Sequence, residues 1–278
     1  MMQFIVPYRD GSLVLRSDEF IKLGGVALAA VALAEHVRAT GSKRYLPAAQ
    51  RLCKYIVWSQ QQNGSVVHKR EFDSAKALDF RSQYYPGEAM LALMRTYALD
   101  HDKRWLNAAA RIARYLIDVR DAGKMTSELI HDHWLLYALN ELYRARKDPA
   151  YLAHAARVVE SILAAQRAGG EPADYAGSYY DPPRSTPTAT RSEGLLAAHA
   201  LISEFGDEQL AERIRRAVKR GVGFQLQTQI TRERAMYLRA PRRCLGGFTR
   251  GLSRFEVRID YVQHNISALI LLHQLLSP

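Results

Sequence analysis

Cysteine is scarce in this chain: Cys53 and Cys244 are the only two among 278 residues. Two thiols cannot build a disulfide framework or a four-thiolate zinc site, so a reducing, cytoplasmic setting is expected. No stretch approaches the run of about 18 charge-free apolar residues that a membrane span needs, and no membrane partner is expected. Met1 to Pro7 show no basic segment leading into a long apolar one, so no secretory signal is expected. Acidic residues are the minority charge, 28 Asp and Glu against 39 Lys and Arg, for a net +11. That balance favours an acidic partner. Nucleic acid is not the expected one, because no recognition motif and no interleaved aromatic–basic pattern occurs. With 48% hydrophobic and 24% charged residues, the chain is neither disordered nor fibrous.

Strand patterns are nearly missing too. Alternation appears only briefly, at Ser65-Val66-Val67-His68, and no sheet of four or more strands is expected. What is present is helical periodicity. It predicts helices over about 18–39, 43–62, 86–99, 103–119, 132–146, 149–168, 190–205, 207–228 and 259–276, after an irregular segment 1–17. The whole chain, 1–278, reads as one all-α domain.

The helices are of two alternating kinds. Tyr45-Leu46-Pro47-Ala48-Ala49-Gln50-Arg51 recurs in kind at Trp105 to Arg111 and at Tyr151 to Arg157. These helices are amphipathic with basic outer faces, as an outer layer requires. The others, such as Gly24 to Ala30, Glu88 to Leu93, Trp134 to Leu139, Gly194 to Ala198 and Ile266 to Ile270, are apolar nearly all round and suit an inner layer. Inner-to-outer connections are short, while those at 63–85, 120–131, 169–189 and 229–258 are long. Long loops usually serve a function. In antiparallel hairpins they gather at the N-terminal ends of the inner helices, which attract anions and hydroxyl-rich ligands.

This alternation resembles the (α/α)-toroid of six-hairpin glycosidase-like proteins, which include glycoside hydrolases, polysaccharide lyases and sugar epimerases. The tyrosine- and proline-rich stretch before a helical repeat is similar to the helical domain of glucuronyl C5-epimerases. Nine helices do not complete six hairpins, so an incomplete or open toroid is expected. Other toroid enzymes fit less well. Lanthionine-synthetase cyclases need a Cys/Cys/His zinc site, and squalene-cyclase-like enzymes an Asp-x-Asp-Asp acid, and neither occurs here.

Candidate site residues sit where inner helices begin. Glu88 follows Arg81, Tyr84 and Tyr85 at one start, where it would also complement the helix dipole. His131, Asp132, His133 and Trp134 arrive together at the next, and Asp132 also reads as a helix cap. His131 and His133 are two apart and face different sides of a helix, so no metal is expected. No other cofactor is expected either. Arg184, Arg191 and Glu193 follow Tyr179, and Thr190 with Glu193 also matches a capping box. Arg258, Asp260, Tyr261 and His264 open the last helix. There Asp260 and His264, four apart, share a face on which a carboxylate orients an imidazole or merely stabilises the layer. Segment 230–258 carries eight Arg against two Glu and no Lys, a composition suited to bidentate carboxylate binding.

The catalytic candidates are therefore Glu88, Asp132, His133, Glu193, Asp260 and His264. The substrate-binding candidates are Arg81, Tyr84, Tyr85, His131, Trp134, Tyr179, Arg184, Arg191, Arg258 and Tyr261. Paired carboxylates would suit glycoside hydrolysis, and His with Tyr would suit proton abstraction beside a carboxylate. The expected function is a carbohydrate-active enzyme, a hydrolase, lyase or epimerase, acting on an acidic sugar or uronate-containing glycan. The alternative is a non-catalytic toroid that binds glycan or protein.

Overall fold

A computed structural model describes residues 2–169 and 172–277. Gly170 and Glu171, inside the predicted connection 169–189, lie outside the described residues, as do Met1 and Pro278. The chain divides into two compact units, one of residues 1–124 and 134–155, the other of 125–133 and 156–278.

The first unit holds helices α1 (Leu23–Thr40), α2 (Leu46–Trp58), α3 (Tyr85–Asp100) and α4 (Lys103–Tyr115). Helix α1 packs on α2 and α3, and α3 packs on α4. Helices α1 and α3 are the apolar kind: in α3 every residue from Pro86 to Met94 is buried. No side chain caps α3, although Pro86 is preset for a first turn. Burial holds it instead, at about 1.5–3 kcal/mol per large apolar side chain. Helix α4 is one-sided. Trp105, Leu106, Ile112 and Ala113 are buried while Arg104, Asn107, Arg111 and Arg114 face outward. Its start is capped by Asp102, which accepts from the Arg104 N–H at 2.9 Å. Gly24 of α1 is buried against α3, and a Cβ there would collide with the Tyr85 ring and the Glu88 carboxylate.

Two expectations need correction here. Helix α1 starts at Leu23, not near 18, because 20–22 form a strand. Four short strands, β1 (Ile5–Pro7), β2 (Leu13–Ser17), β3 (Phe20–Lys22) and β4 (Lys69–Glu71), make one small antiparallel sheet in order β1-β2-β3-β4. Segment 1–17 is thus largely ordered by pairing. Strands of three to five residues are too short to show a period, and their pairing with β4 joins distant sequence. By length and composition α1 is also apolar enough to cross a membrane, at mean hydropathy 1.2 over 18 residues, but half of that stretch is buried in protein.

Helix α5 (His133–Ala145) and helix α6 (Pro149–Ala165) each contribute residues to both units. The second unit adds α7 (Ser185–Phe205), α8 (Glu208–Gln227), the single turns α9 (Arg232–Ala235) and α10 (Pro241–Cys244), the hairpin β5 (Thr249–Gly251) with β6 (Arg254–Val257), and α11 (Ile259–Leu276). Helix α7 packs on α8 and α11. It is buried without a break from Thr188 to Ala198, whereas α8 exposes Glu208, Glu212, Arg213, Arg216 and Lys219. The alternation of apolar and one-sided helices thus recurs in this unit. Gly24, Ala92, Ala138, Ala197 and Ala268, small residues of the apolar helices, are all buried.

Candidate active site

The site grows from α7. This helix begins at Ser185, five residues before the predicted start. Pro187 falls in its first turn, where the missing N–H would have had no helical partner. Ser185 Oγ donates to the Thr249 carbonyl at 2.6 Å and anchors this turn on β5. The earlier start overturns the capping-box reading. Thr190 lies inside the helix and donates to the Pro187 carbonyl at 3.2 Å. Glu193 lies two turns in and is 2% exposed.

Glu193 meets α11. Its Oε2 is 2.7 Å from Nδ1 of His264. The carboxylate that holds His264 is therefore Glu193, not Asp260. Asp260 instead accepts from Arg258 Nε at 3.0 Å on the outer side. The His133 ring stands edge-on to His264, with centroids 5.3 Å apart and planes at 84°. One ligand-type atom from each of His133, Glu193 and His264 lies within 4.8 Å of the others. Burial first, then the nearby His264 and Arg191, push the pKa of His133 well below its ordinary value. His133 is thus a neutral imidazole at pH 7. Asp132, immediately before it, is wholly buried.

Beside this triad lies a second group. Arg191 is 8% exposed. It donates from Nε to Nδ1 of His131, from one terminal nitrogen to the Pro187 carbonyl and from the other to the Tyr180 hydroxyl, each at 3.0 Å. The rings of Tyr179 and Tyr180 lie 4.8 and 4.9 Å from its guanidinium carbon. Three of its five N–H groups are used, and no carboxylate among the described residues pairs with it. Burial and then Arg191 lower the pKa of His131 to about 4.

The tyrosines are set by a tied loop. Gln166 donates to the carbonyls of Gly177 and Ala217 at 3.0 and 2.9 Å, which fixes the loop on α8. Gly177 has φ +82, and a Cβ there would strike the Arg220 carbonyl. Tyr180 itself sits at φ +68, a strained setting for a tyrosine that turns its hydroxyl to Arg191. Beyond the tyrosines, two clefts of about 260 and 290 Å³ share Arg184 and Arg250 as walls. Arg254 lines the first, and Arg258 and Tyr261 line the second.

The other candidates belong to the first unit and are described there alone. Tyr85 lies between the rings of His68 and Phe80, at 5.9 and 5.8 Å. Glu88 is 6% exposed, Tyr84 is half-buried, and Arg81 is exposed. The Trp134 ring is 6.1 Å from that of Tyr137. One cluster of this unit escaped the sequence reading. Asp121 is wholly buried and receives Arg120 through two bonds, at 2.9 and 2.6 Å, and Lys124 at 3.1 Å. His154 Nε2 lies 3.3 Å away. Burial raises the pKa of this carboxyl, but His154, Arg120 and Lys124 outweigh it and hold the group well below the usual range. Only Arg120 and Asp121 are adjacent in sequence, so no local motif announces the cluster.

No protein-family model matches the sequence, and no curated protein matches it. Solved structures do match in three dimensions. A D-mannose isomerase superposes with TM-score 0.65 at 15% identity, over 96% of this chain and 76% of its own. An α-mannanase of Bacteroides thetaiotaomicron matches with TM-score 0.65 at 13% identity, over 98% and 76%. A cellobiose 2-epimerase of Bacillus thermoamylovorans matches with TM-score 0.65 at 13% identity, over 97% and 78%. Identity this low carries the fold and not the activity. The chain has the (α/α)-toroid fold of these solved structures, and the resemblance read from its alternating helices is a likeness of fold.

Proposed function

We propose that this chain is a carbohydrate-active enzyme that moves a proton on an acidic sugar or a uronate-containing glycan. The observation that carries the reading is the buried contact of Glu193 with His264, beside the neutral ring of His133. With Nδ1 held by Glu193, Nε2 of His264 is the working nitrogen. It takes the proton from the carbon next to a carbonyl or carboxylate. The C–H electrons pass into an enediolate, and the carboxylate of Glu193 stabilises the imidazolium formed. Return of the proton to the other face, or to the neighbouring carbon, completes an epimerisation or isomerisation without a redox partner. Loss of a leaving group from the next carbon would make the same step a lyase reaction. One carboxylate with two imidazoles favours these reactions over the two-carboxylate chemistry of glycoside hydrolysis.

The acidic character of the substrate is supported by Arg191. A buried guanidinium without a carboxylate partner is costly unless an anion completes it. Arg184 and Arg250 line the clefts beyond it. Each hydrogen bond to a charged group contributes about 1.5–3 kcal/mol, so two such contacts suffice to prefer a uronate over a neutral sugar.

The test incubates the protein in D2O with neutral aldoses, uronic acids and uronate oligosaccharides, read by NMR. Deuterium entering next to a carbonyl or carboxylate, lost in His264→Gln, is the expected result. New reducing ends without exchange would make the enzyme a hydrolase. Binding without any turnover would make the chain a glycan-binding module.

A further inference from the structure

We propose that His133, Glu193 and His264 also form a binding site for one divalent transition-metal ion of the zinc class. Two imidazoles and one carboxylate are the donor set that borderline cations prefer, and Mg2+ and Ca2+ do not. The donors are His133, the first residue of α5, Glu193 within α7 and His264 within α11, and all three residues belong to the second unit. Sequence spacing argues against a metal only for His131 with His133. It is silent on partners at 193 and 264.

The geometry is close to what a metal needs. Zinc bonds of about 2.0–2.2 Å in a tetrahedron place donors about 3.3 Å apart. The Glu193–His264 contact is already 2.7 Å, and the widest separation allowed by the three donors is 4.8 Å. The widest pair therefore lies within about 1.5 Å of the metal-bound spacing. The side chain of His264 is 13% exposed, so the cluster is not sealed from solvent. The ion would take the place of the proton between Glu193 and His264. Metal binding and acid–base catalysis then exclude each other. That exclusion rests on the proton-transfer reading above, whereas metal binding itself does not.

The test uses tag-free full-length protein, Co2+ and Zn2+, and no sugar. Co2+ titration should reach one equivalent with visible ligand-field bands, which Zn2+ then bleaches. Affinity should fall as the pH is lowered, because the ligands must lose protons. Glu193→Gln and His264→Gln should each weaken binding at least 100-fold, while His131→Gln should not. Circular dichroism shows whether each variant is folded. As a readout that needs no variant, Zn2+ should raise the Tm of the wild-type protein. Stoichiometry well below one, or equal binding by wild type and folded Glu193→Gln, overturns the site and leaves the sugar reading standing. Stoichiometric metal binding without deuterium exchange on any sugar has the opposite meaning.

Discussion

Nε of Arg191 donates to Nδ1 of His131 across 3.0 Å, so the proton of this imidazole must sit on Nε2, 2.9 Å from Ser161 Oγ. A second proton on the ring would displace the arginine contact. Burial and then the Arg191 charge lower its pKa to about 4. This shift predicts acid sensitivity. In the unfolded chain His131 takes up its proton near pH 6.5, while the folded protein resists until about pH 4. Stability is therefore lost as pH falls through this window. At pH 5 the loss from His131 is at most about 2 kcal/mol relative to pH 8. Urea unfolding at the two pH values checks this, and His131→Gln should flatten the difference. Part of the slope should survive in that variant, because burial and Arg81 also lower His68 to about 4.

Glu193 and His264 are expected to matter for turnover more than for folding. In Glu193→Gln, which keeps the shape, kcat should fall by about 100- to 10,000-fold, the range of a lost general acid–base contribution. KM should change little if Glu193 only orients His264. Steady-state kinetics on the substrate found by deuterium exchange separate the two constants.

Gly177 ties the tyrosine loop to α8. Gly177→Ala places a Cβ on the Arg220 carbonyl and forces alanine into a left-handed conformation. The positive φ alone costs about 1–2 kcal/mol, and overpacking adds about 1–3. Chemical denaturation should show a loss of at least about 2 kcal/mol. Because the loop carries Tyr179 and Tyr180 onto Arg191, substrate affinity should fall as well.

Asp121 is a stability residue on this geometry. Asp121→Asn leaves the buried His154 and the Arg120 and Lys124 cations without their shared anion. Breaking such a cluster costs about 3–5 kcal/mol. The Tm should drop sharply while kcat of the surviving folded enzyme stays unchanged.

Arg184 and Arg250 should govern substrate choice. In the double alanine variant the preference for uronates over neutral sugars should shrink about tenfold, which corresponds to about 1.4 kcal/mol. Wild-type binding of uronates should weaken with salt, and the variant should lose that dependence. Isothermal titration at low and high salt reads both effects.

The alternating kinds of helix were legible because periodicity is a local property. Apolar residues all round α3 and a basic stripe on α4 follow from spacings of three and four, and such spacings say which face must leave water. The start of α7 was not legible. Pro187 reads as a loop residue, yet the helix begins two residues ahead of it, with Ser185 bonded to Thr249. With the start misplaced, Glu193 looked like a cap. The small sheet was missed because strands of three to five residues are too short to show a period.

His264 shows where local reading ends. Its carboxylate partner was sought four residues away, on the same helical face, because that is the range over which sequence spacing specifies contact. The partner lies 71 residues away on another helix. Asp260, the local choice, turns to Arg258.

Residue types and their periodicity determined that this chain forms alternating apolar and amphipathic helices, that long loops precede the apolar ones, and that arginine gathers near the last of them. Those are properties of single segments, set by which side chains water rejects. Only the tertiary structure decided that Glu193 serves His264, that His133 joins them and that Arg191 is buried against His131. Each of these joins residues from different segments, and the packing of helices, which no single segment encodes, selects the partners.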